Sequence, residues 1–371
     1  MATKIVIVFS GFNQRAIVAF LRTLEKNKID YAIIAKSLKD PIFNSIYKNK
    51  VFAIRKKEEL CIEDIYSSVQ TVKNQIITQH YLIAPSTEAL NRFLLENRDL
   101  FEKENIVIPL VDRDLYGKVS DKYAFGLMCK KYGITIPEEK IGFEEMEVPF
   151  VAKPYRYFNG EQKVLIPQLI FSKTQKEEFR NQYNIDDFYF QKFIDGKSFY
   201  LLFYVNERGV IYKYSQENIA QQPDGKSIVA AKSSTIHLSK ISEKYERMLI
   251  DICFRGMIMI EIKRQGDTFY MIEANPRFWG PSQLFVDSNM NFFEIFLYDY
   301  GIIQNMPDFS EPIESKYFWH GGIIETKIKH KQITIHSQEY LLFENNIDEW
   351  LKSDVYKRED TINIYNKELL Q

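Results

Sequence analysis

The chain of 371 residues is poor in the residues that mark several common site types. It has three cysteines, Cys61, Cys129 and Cys253, far apart and odd in number. No metal or redox spacing joins them, and the count fits a reducing compartment. The five histidines are scattered and form no zinc pattern. Charge of one sign is also missing: 49 Lys and Arg stand against 50 Asp and Glu, a net charge of −1. That balance argues against a general nucleic-acid binder. No apolar run reaches about 18 residues, so no membrane span is expected. Residues Met1 to Ser10 enter a strand directly, without a basic leader segment and cleavage site, so a cytoplasmic protein is expected. Neither a Ser/His/Asp nor a Cys/His set stands out, and no Gly-x-Gly-x-x-Gly follows the first strand. Repeats and low-complexity tracts are absent too.

What is present centres on residues Met257 to Gly280. Two short apolar runs flank the polar, glycine-containing segment Arg264–Gln265–Gly266–Asp267, which predicts a β-hairpin. Side chains alternate along a strand, so Glu273 and Asn275 share one face. With the turn near Asp267, Glu261 lies opposite Glu273. Clustered carboxylates repel unless a cation sits among them. Carboxylate and amide oxygens suit Mg²⁺, which keeps waters and bridges to phosphates. Arg277 follows at once and offers a planar fork to a phosphate or carboxylate. A plainer reading is a surface hairpin with solvated acids. Ile260, Ile262, Met271 and Ile272 argue against it, because they mark a strand pair that is substantially buried.

The run Ile272-Glu273-Ala274-Asn275-Pro276-Arg277-Phe278-Trp279-Gly280 resembles the metal-binding end of the ATP-grasp superfamily, most of all the branch related to carbamoyl-phosphate synthase and carboxylate–amine ligases. The resemblance extends in order over about residues 4 to 300. Before the hairpin, strands at Lys4–Phe9, Asp30–Ala35, Val51–Ile54, within Gln75–Ala84 and at Ile106–Leu110 alternate with helical stretches. That pattern predicts a parallel α/β sheet. The loop Ser10–Asn13 lies at a strand's carboxyl end, where ligands of such sheets bind. The fold expected is mixed α/β and α+β. A pre-ATP-grasp α/β domain spans 1–115, a small ATP-grasp subdomain 116–195, a large subdomain with the metal site 196–300, and a C-terminal extension 301–371. In that extension Trp350–Tyr365 reads as a helix and a terminal strand, and His320 as a packed core histidine.

The resemblance implies a nucleotide site. Ser120-Asp121-Lys122 at a helix start, followed by Gly133-Ile134-Thr135-Ile136-Pro137, is similar to the start of the small subdomain, with Lys122 reaching the phosphates. Lys153 ends the strand Val148–Pro154, where the family's lysine touches phosphates. A lysine on an apolar strand is costly unless its ammonium finds an anion. Tyr155–Lys163 would be the phosphate-covering loop. It departs from the family pattern in having one glycine, Gly160, and the bulky Tyr155, Tyr157 and Phe158, with Arg156 or Lys163 to compensate. Gln191, Lys192, Phe193 and Ile194 correspond to the hinge that reads adenine. Ser198 stands where many members carry a ribose-binding glutamate. In the loop Gln221–Ser227, Gln222 or Lys226 would take the place of the family's substrate arginine.

These residues imply ATP and Mg²⁺ as cofactors, with two ions and Mn²⁺ as an alternative metal. Glu261, Glu273 and Asn275 are the metal ligands, and Arg277 is the catalytic residue. The expected reaction is ligation: a carboxylate activated as an acyl phosphate, then attacked by an amine or other nucleophile, with release of ADP and phosphate. The alternatives are carbamoyl-phosphate-type phosphorylation of carbamate or bicarbonate, and a nucleotide-binding protein without turnover. Partners would be small-molecule acids and amines, with a homodimer left open.

Overall fold

The structure, a computed structural model, describes residues 4–78, 80–140, 142–156, 164–308, 311–337 and 346–370. Five strands build the first sheet: β1 (Lys4–Phe9), β2 (Tyr31–Ala35), β3 (Val51–Ile54), β4 (His80–Ile83) and β5 (Ile106–Val107). All pair in parallel, in the order β3-β2-β1-β4-β5. Their continuous apolar sequences follow from burial on both faces. Val6, Val8, Ile33 and Leu82 pack towards helix Gln14–Lys26, which presents Ile17, Phe20, Leu21 and Leu24. Ile5, Ile7, Ile34 and Ile83 pack on the opposite side with Ile65 and Val69 of helix Ile62–Gln75 and Leu90 and Leu94 of helix Glu88–Glu96. Strand order reverses between β1 and β4, so a crevice opens beyond their carboxyl ends. Asn13 sits there and donates to the carbonyls of Ser86 (2.9 Å) and Phe278 (3.0 Å), tying this crevice to the segment behind Asn275.

A second, antiparallel sheet has β6 (Glu139–Lys140), β7 (Phe150–Pro154), β8 (Gln168–Ile170) and β9 (Phe188–Lys192), in the order β6-β9-β7-β8. Phe143, Phe150, Phe179, Phe188 and Phe190 fill its core. The third sheet contains β10 (Lys197–Val205), β11 (Ile211–Gln221), β12 (Ile228–Ser233), β13 (Gly256–Gln265), β14 (Thr268–Asn275) and β15 (Lys316–Phe318). They run in the order β14-β13-β10-β11-β12-β15, and β16 (Thr334–Ile335) pairs with β11 at Ala220 and Gln221.

Alternation gives this sheet two unlike faces. Phe199, Leu201, Phe203, Ile258, Ile260 and Ile262 point to a wholly apolar core with Tyr245, Met248 and Leu249 of helix Lys240–Asp251. The intervening residues face the first sheet's side of the molecule. At one end they are apolar: Leu202, Tyr204, Tyr214, Met257 and Met259. At the other end they are Ser198, Gln216, Asn218, Glu261 and Lys263, and the site lies there.

Several elements differ from the sequence reading. The strand expected to reach Tyr365 is instead helix Ile362–Leu369. Ile362 and Ile364 alternate in sequence, but the buried pair is Ile364 and Tyr365, adjacent residues that only a helical turn brings together against the core. Helices Lys173–Gln182 and Ser282–Asp287 have no counterpart in the sequence reading, and the aromatic strand stops at Phe318 because helix His320–Ile328 begins. His320 is packed, its ring stacked on Phe318 and its Nδ1 3.3 Å from the Tyr365 hydroxyl. Helix Arg113–Ser120 runs across the expected boundary at 115. Among the described residues no helix is long and apolar enough to cross a membrane.

Candidate active site

The antiparallel sheets enclose a cleft of about 460 Å³. Its acidic floor comes from the β13–β14 hairpin, where Glu261 pairs directly with Glu273. A register shift follows between Glu261 and Ile262, a bulge that the turn at Gly266 does not foretell. Glu261 is 6% exposed and accepts a hydrogen bond from Ser198 Oγ (3.1 Å). Burial, and then the charge of Glu273, push the Glu261 carboxyl above its ordinary range. Glu273 goes the other way. Burial alone would raise it, but the Lys122 ammonium at 2.8 Å, the Asn275 amide donating at 2.8 Å and Lys153 together hold it low. So their neighbours push the two facing carboxyls in opposite directions.

Lys122 opens helix Lys122–Lys131, whose N-cap Asp121 accepts from Ala124 N–H (2.7 Å). This cap fixes the turn that aims Lys122. Asp121→Ala should cost about 1 kcal/mol of stability, the usual worth of such a cap, measured by urea unfolding. Burial works against the Lys122 charge, yet Glu273 more than offsets it and the ammonium is stabilised. Lys153, on β7, reaches across to the third sheet and donates to the carbonyl of Ile272 (2.7 Å). Burial, then the neighbouring Lys122 charge, lower it to about 8.

The remaining expected residues are distributed unevenly. Gln191, Lys192 and Phe193 line the cleft. Gln191 donates to Glu139 (3.2 Å), and its carbonyl oxygen is buried without a partner. Ile194 does not line the cleft; its carbonyl accepts from Lys263 Nζ (3.2 Å). Ser198 is fully buried beneath Glu261 and does not line it either. Arg277 lies outside the lining, donating to Phe278 O (2.8 Å) and to Asn275 Oδ1 (3.2 Å). From the loop after β11, Lys226 lines the cleft, whereas Gln222 turns to Gly322 O (3.2 Å) and Glu325 (3.1 Å). Ser10 and Phe12 line a separate crevice of about 160 Å³ at the carboxyl end of β1. Tyr155 packs on Tyr123 and Tyr189 (centroids 5.0 and 5.3 Å), whereas Tyr157, Phe158, Gly160 and Lys163 of the expected covering loop lie outside the described residues.

Some cleft residues escaped the sequence reading. Lys263 is two positions past Glu261, so the same alternation would have found it; its ammonium stands 5.0 Å over the Phe193 ring. Thr334 and His336 come from the C-terminal extension through β16, a pairing no local signal announces. His336 Nε2 meets Gln221 Oε1 at 2.7 Å, and burial pushes its ring down to about 3, so it stays neutral.

The donor set fits a hard cation with a phosphate ligand. Among the described residues no group of three or more His, Cys, Asp or Glu could hold a metal alone. Glu261 and Glu273 line the cleft and could supply oxygens to part of a Mg²⁺ shell beside substrate phosphates, whereas Asn275 lies outside the lining, its Oδ1 accepting from Arg277. The unpaired Gln191 oxygen suits a ligand amino group.

No protein-family model and no curated protein matches the chain by sequence. Solved structures do match. N5-carboxyaminoimidazole ribonucleotide synthetase from Thermus thermophilus aligns with a TM-score of 0.63 at 12% identity, over 94% of this chain and 98% of that one. Biotin carboxylase from Campylobacter jejuni, in complex with β-γ-ATP, gives 0.60 at 14% identity, over 83% and 72%. The biotin carboxylase domain of Hydrogenobacter thermophilus 2-oxoglutarate carboxylase, a dimer solved with MgADP, ADP and bicarbonate, gives 0.61 at 13%, over 84% and 72%. With its N-terminal parallel sheet, its two antiparallel sheets and the cleft between them, the chain has the ATP-grasp fold.

Proposed function

We propose that this cleft binds ATP with Mg²⁺ and that the protein is an ADP-forming ligase, activating a carboxylate as an acyl phosphate for attack by an amine or other nucleophile. The observation behind this reading is the meeting of two carboxylates from adjacent strands with Lys122 and Lys153 from two further elements. Glu261, Glu273 and Asn275 would hold the metal. Magnesium, when bound, neutralises charge on the β- and γ-phosphates. Lys122 and Lys153 add positive charge where the phosphoryl group leaves, so positioning and electrostatics do the work. The apolar side chains of Val151, Leu169, Phe171 and Phe193 suit a base, with the Gln191 oxygen accepting from its amino group. Arg277, beside Asn275, would hold the acceptor carboxylate or the transferred group.

A second reading keeps ATP and makes bicarbonate or carbamate the acceptor, in line with the bicarbonate complex among the similar structures. One experiment serves both. Candidate acids, bicarbonate among them, are crossed with amines and nucleotide products are separated. ADP with orthophosphate is the expected pair. AMP with pyrophosphate as the main products would reject phosphoryl transfer to the acid.

A further inference from the structure

Behind the Glu261 carboxylate lies a row of polar side chains that no step above uses. Gln216 Nε2 donates to Asn218 Oδ1 (2.7 Å), Asn218 Nδ2 to Ser198 Oγ (2.9 Å), and Ser198 Oγ to Glu261 Oε1 (3.1 Å). The row crosses three neighbouring strands, β11, β10 and β13, on one face of the sheet. Gln216, Asn218 and Ser198 are each 0% exposed. Further along the same face the same strands carry Leu202, Tyr214 and Met259, so apolar residues of suitable size pack there readily. Buried amides cost stability unless fully paired, and this row is not fully paired: the Gln216 oxygen has no partner.

We propose that Ser198, Asn218 and Gln216 are positioning residues that aim Glu261 at its cation through this one-way row of hydrogen bonds. The direction follows from donor chemistry. Gln216 occupies the Asn218 oxygen, which turns the Asn218 amide nitrogen towards Ser198. That nitrogen fills a lone pair of the serine, so the serine proton points to Glu261. One oxygen of Glu261 is thereby pinned, and the other has no hydrogen-bond partner among the described residues. Outer partners of this kind orient a ligating carboxylate, and their loss typically lowers metal affinity about 10–100-fold. Ser198 then serves Glu261 and not the ribose.

The inference rests on the Mg·ATP reading, and the test separates the two. Mn²⁺ is titrated by electron paramagnetic resonance into the full chain with saturating ADP, and ADP binding without metal is measured by calorimetry. Ser198→Ala should weaken Mn²⁺ binding about tenfold and leave metal-free ADP binding unchanged. Asn218→Leu should give a smaller loss in the same direction. Tyr214→Phe removes buried hydroxyl contacts to Ser233 and Ser288 on the same face, outside the row, and should leave Mn²⁺ affinity unchanged. Unaltered Mn²⁺ affinity in Ser198→Ala, or an equal loss in Tyr214→Phe, overturns the positioning role. Wild-type protein that binds ADP with no response to metal overturns the Mg·ATP reading, and the inference with it.

Discussion

Glu273→Ala is expected to abolish metal-dependent ATP binding and turnover while the fold survives. Glu273 is the carboxylate held ionised, by Lys122 at 2.8 Å and the Asn275 amide at 2.8 Å. Its loss leaves Glu261 as the single buried acid of the floor, still raised by burial but relieved of the Glu273 charge that also pushed it up. It also leaves Lys122 without its counter-charge, and the Asn275 amide without its acceptor. The cation would then meet one carboxyl and one amide in place of a pair of carboxyls, too little negative charge to hold Mg²⁺ and its phosphates. The backbone ladder between β13 and β14 does not involve the side chain, and the side chain is only partly buried, so unfolding is not expected. Calorimetry with Mg·ATP, alongside ADP release, decides the matter. Equal affinity and activity in both proteins would remove the metal assignment.

Lys153→Met should weaken ATP binding by about 1.5–3 kcal/mol, the range for a hydrogen bond to a charged group. Methionine keeps the length and apolar stem and removes only the ammonium. The wild-type protein adds a pH signature. Burial and the neighbouring Lys122 lower Lys153 to about 8 in the free protein. Phosphates beside it would raise that value again. Below about pH 8 the lysine is already charged and binding takes up no proton from this group. Above that pH the free lysine is neutral, so binding must draw a proton from solvent and affinity falls as pH rises. Calorimetry on either side of that pH, in two buffers of different ionisation enthalpy, reads this directly. The uptake on the alkaline side should vanish in Lys153→Met. Identical profiles for both proteins would make Lys153 a structural residue only.

The readable part of this molecule is the part governed by short-range periodicity. The apolar strands of the first sheet follow from continuous hydrophobic runs, and the hairpin from two such runs about a turn at Gly266, although it takes the bulge between Glu261 and Ile262 to set Glu261 directly opposite Glu273. The ATP-grasp fold is legible for a different reason, the resemblance carried by the order of motifs from Lys122 to Arg277. What stays hidden depends on distant partners. Ser198 matches a cleft position by spacing, but whether a side chain faces solvent or another strand is set by β11 and β13, which lie far away in sequence. Gln222 belongs to a cleft loop, yet its amide is taken by helix His320–Ile328, roughly a hundred residues later. The final helix is easily misread because Ile362 and Ile364 imitate a strand, while the burial that decides between periods comes from the tertiary core.

The two-residue strand β16 puts a constraint on the order in which the protein can become competent. The acidic floor and the lysines belong to residues 122–273, yet Thr334 and His336 complete the cleft wall by pairing with Ala220 and Gln221. During synthesis from the N-terminus, the first two sheets and strands β10 to β14 can form before those residues leave the ribosome. The nascent chain would then hold a cleft with its ligands in place and one side open to water. A nucleotide bound at that stage would lack part of its enclosure. Pairing of β16 thus ties closure of the cleft wall to residues well beyond the acidic floor in sequence.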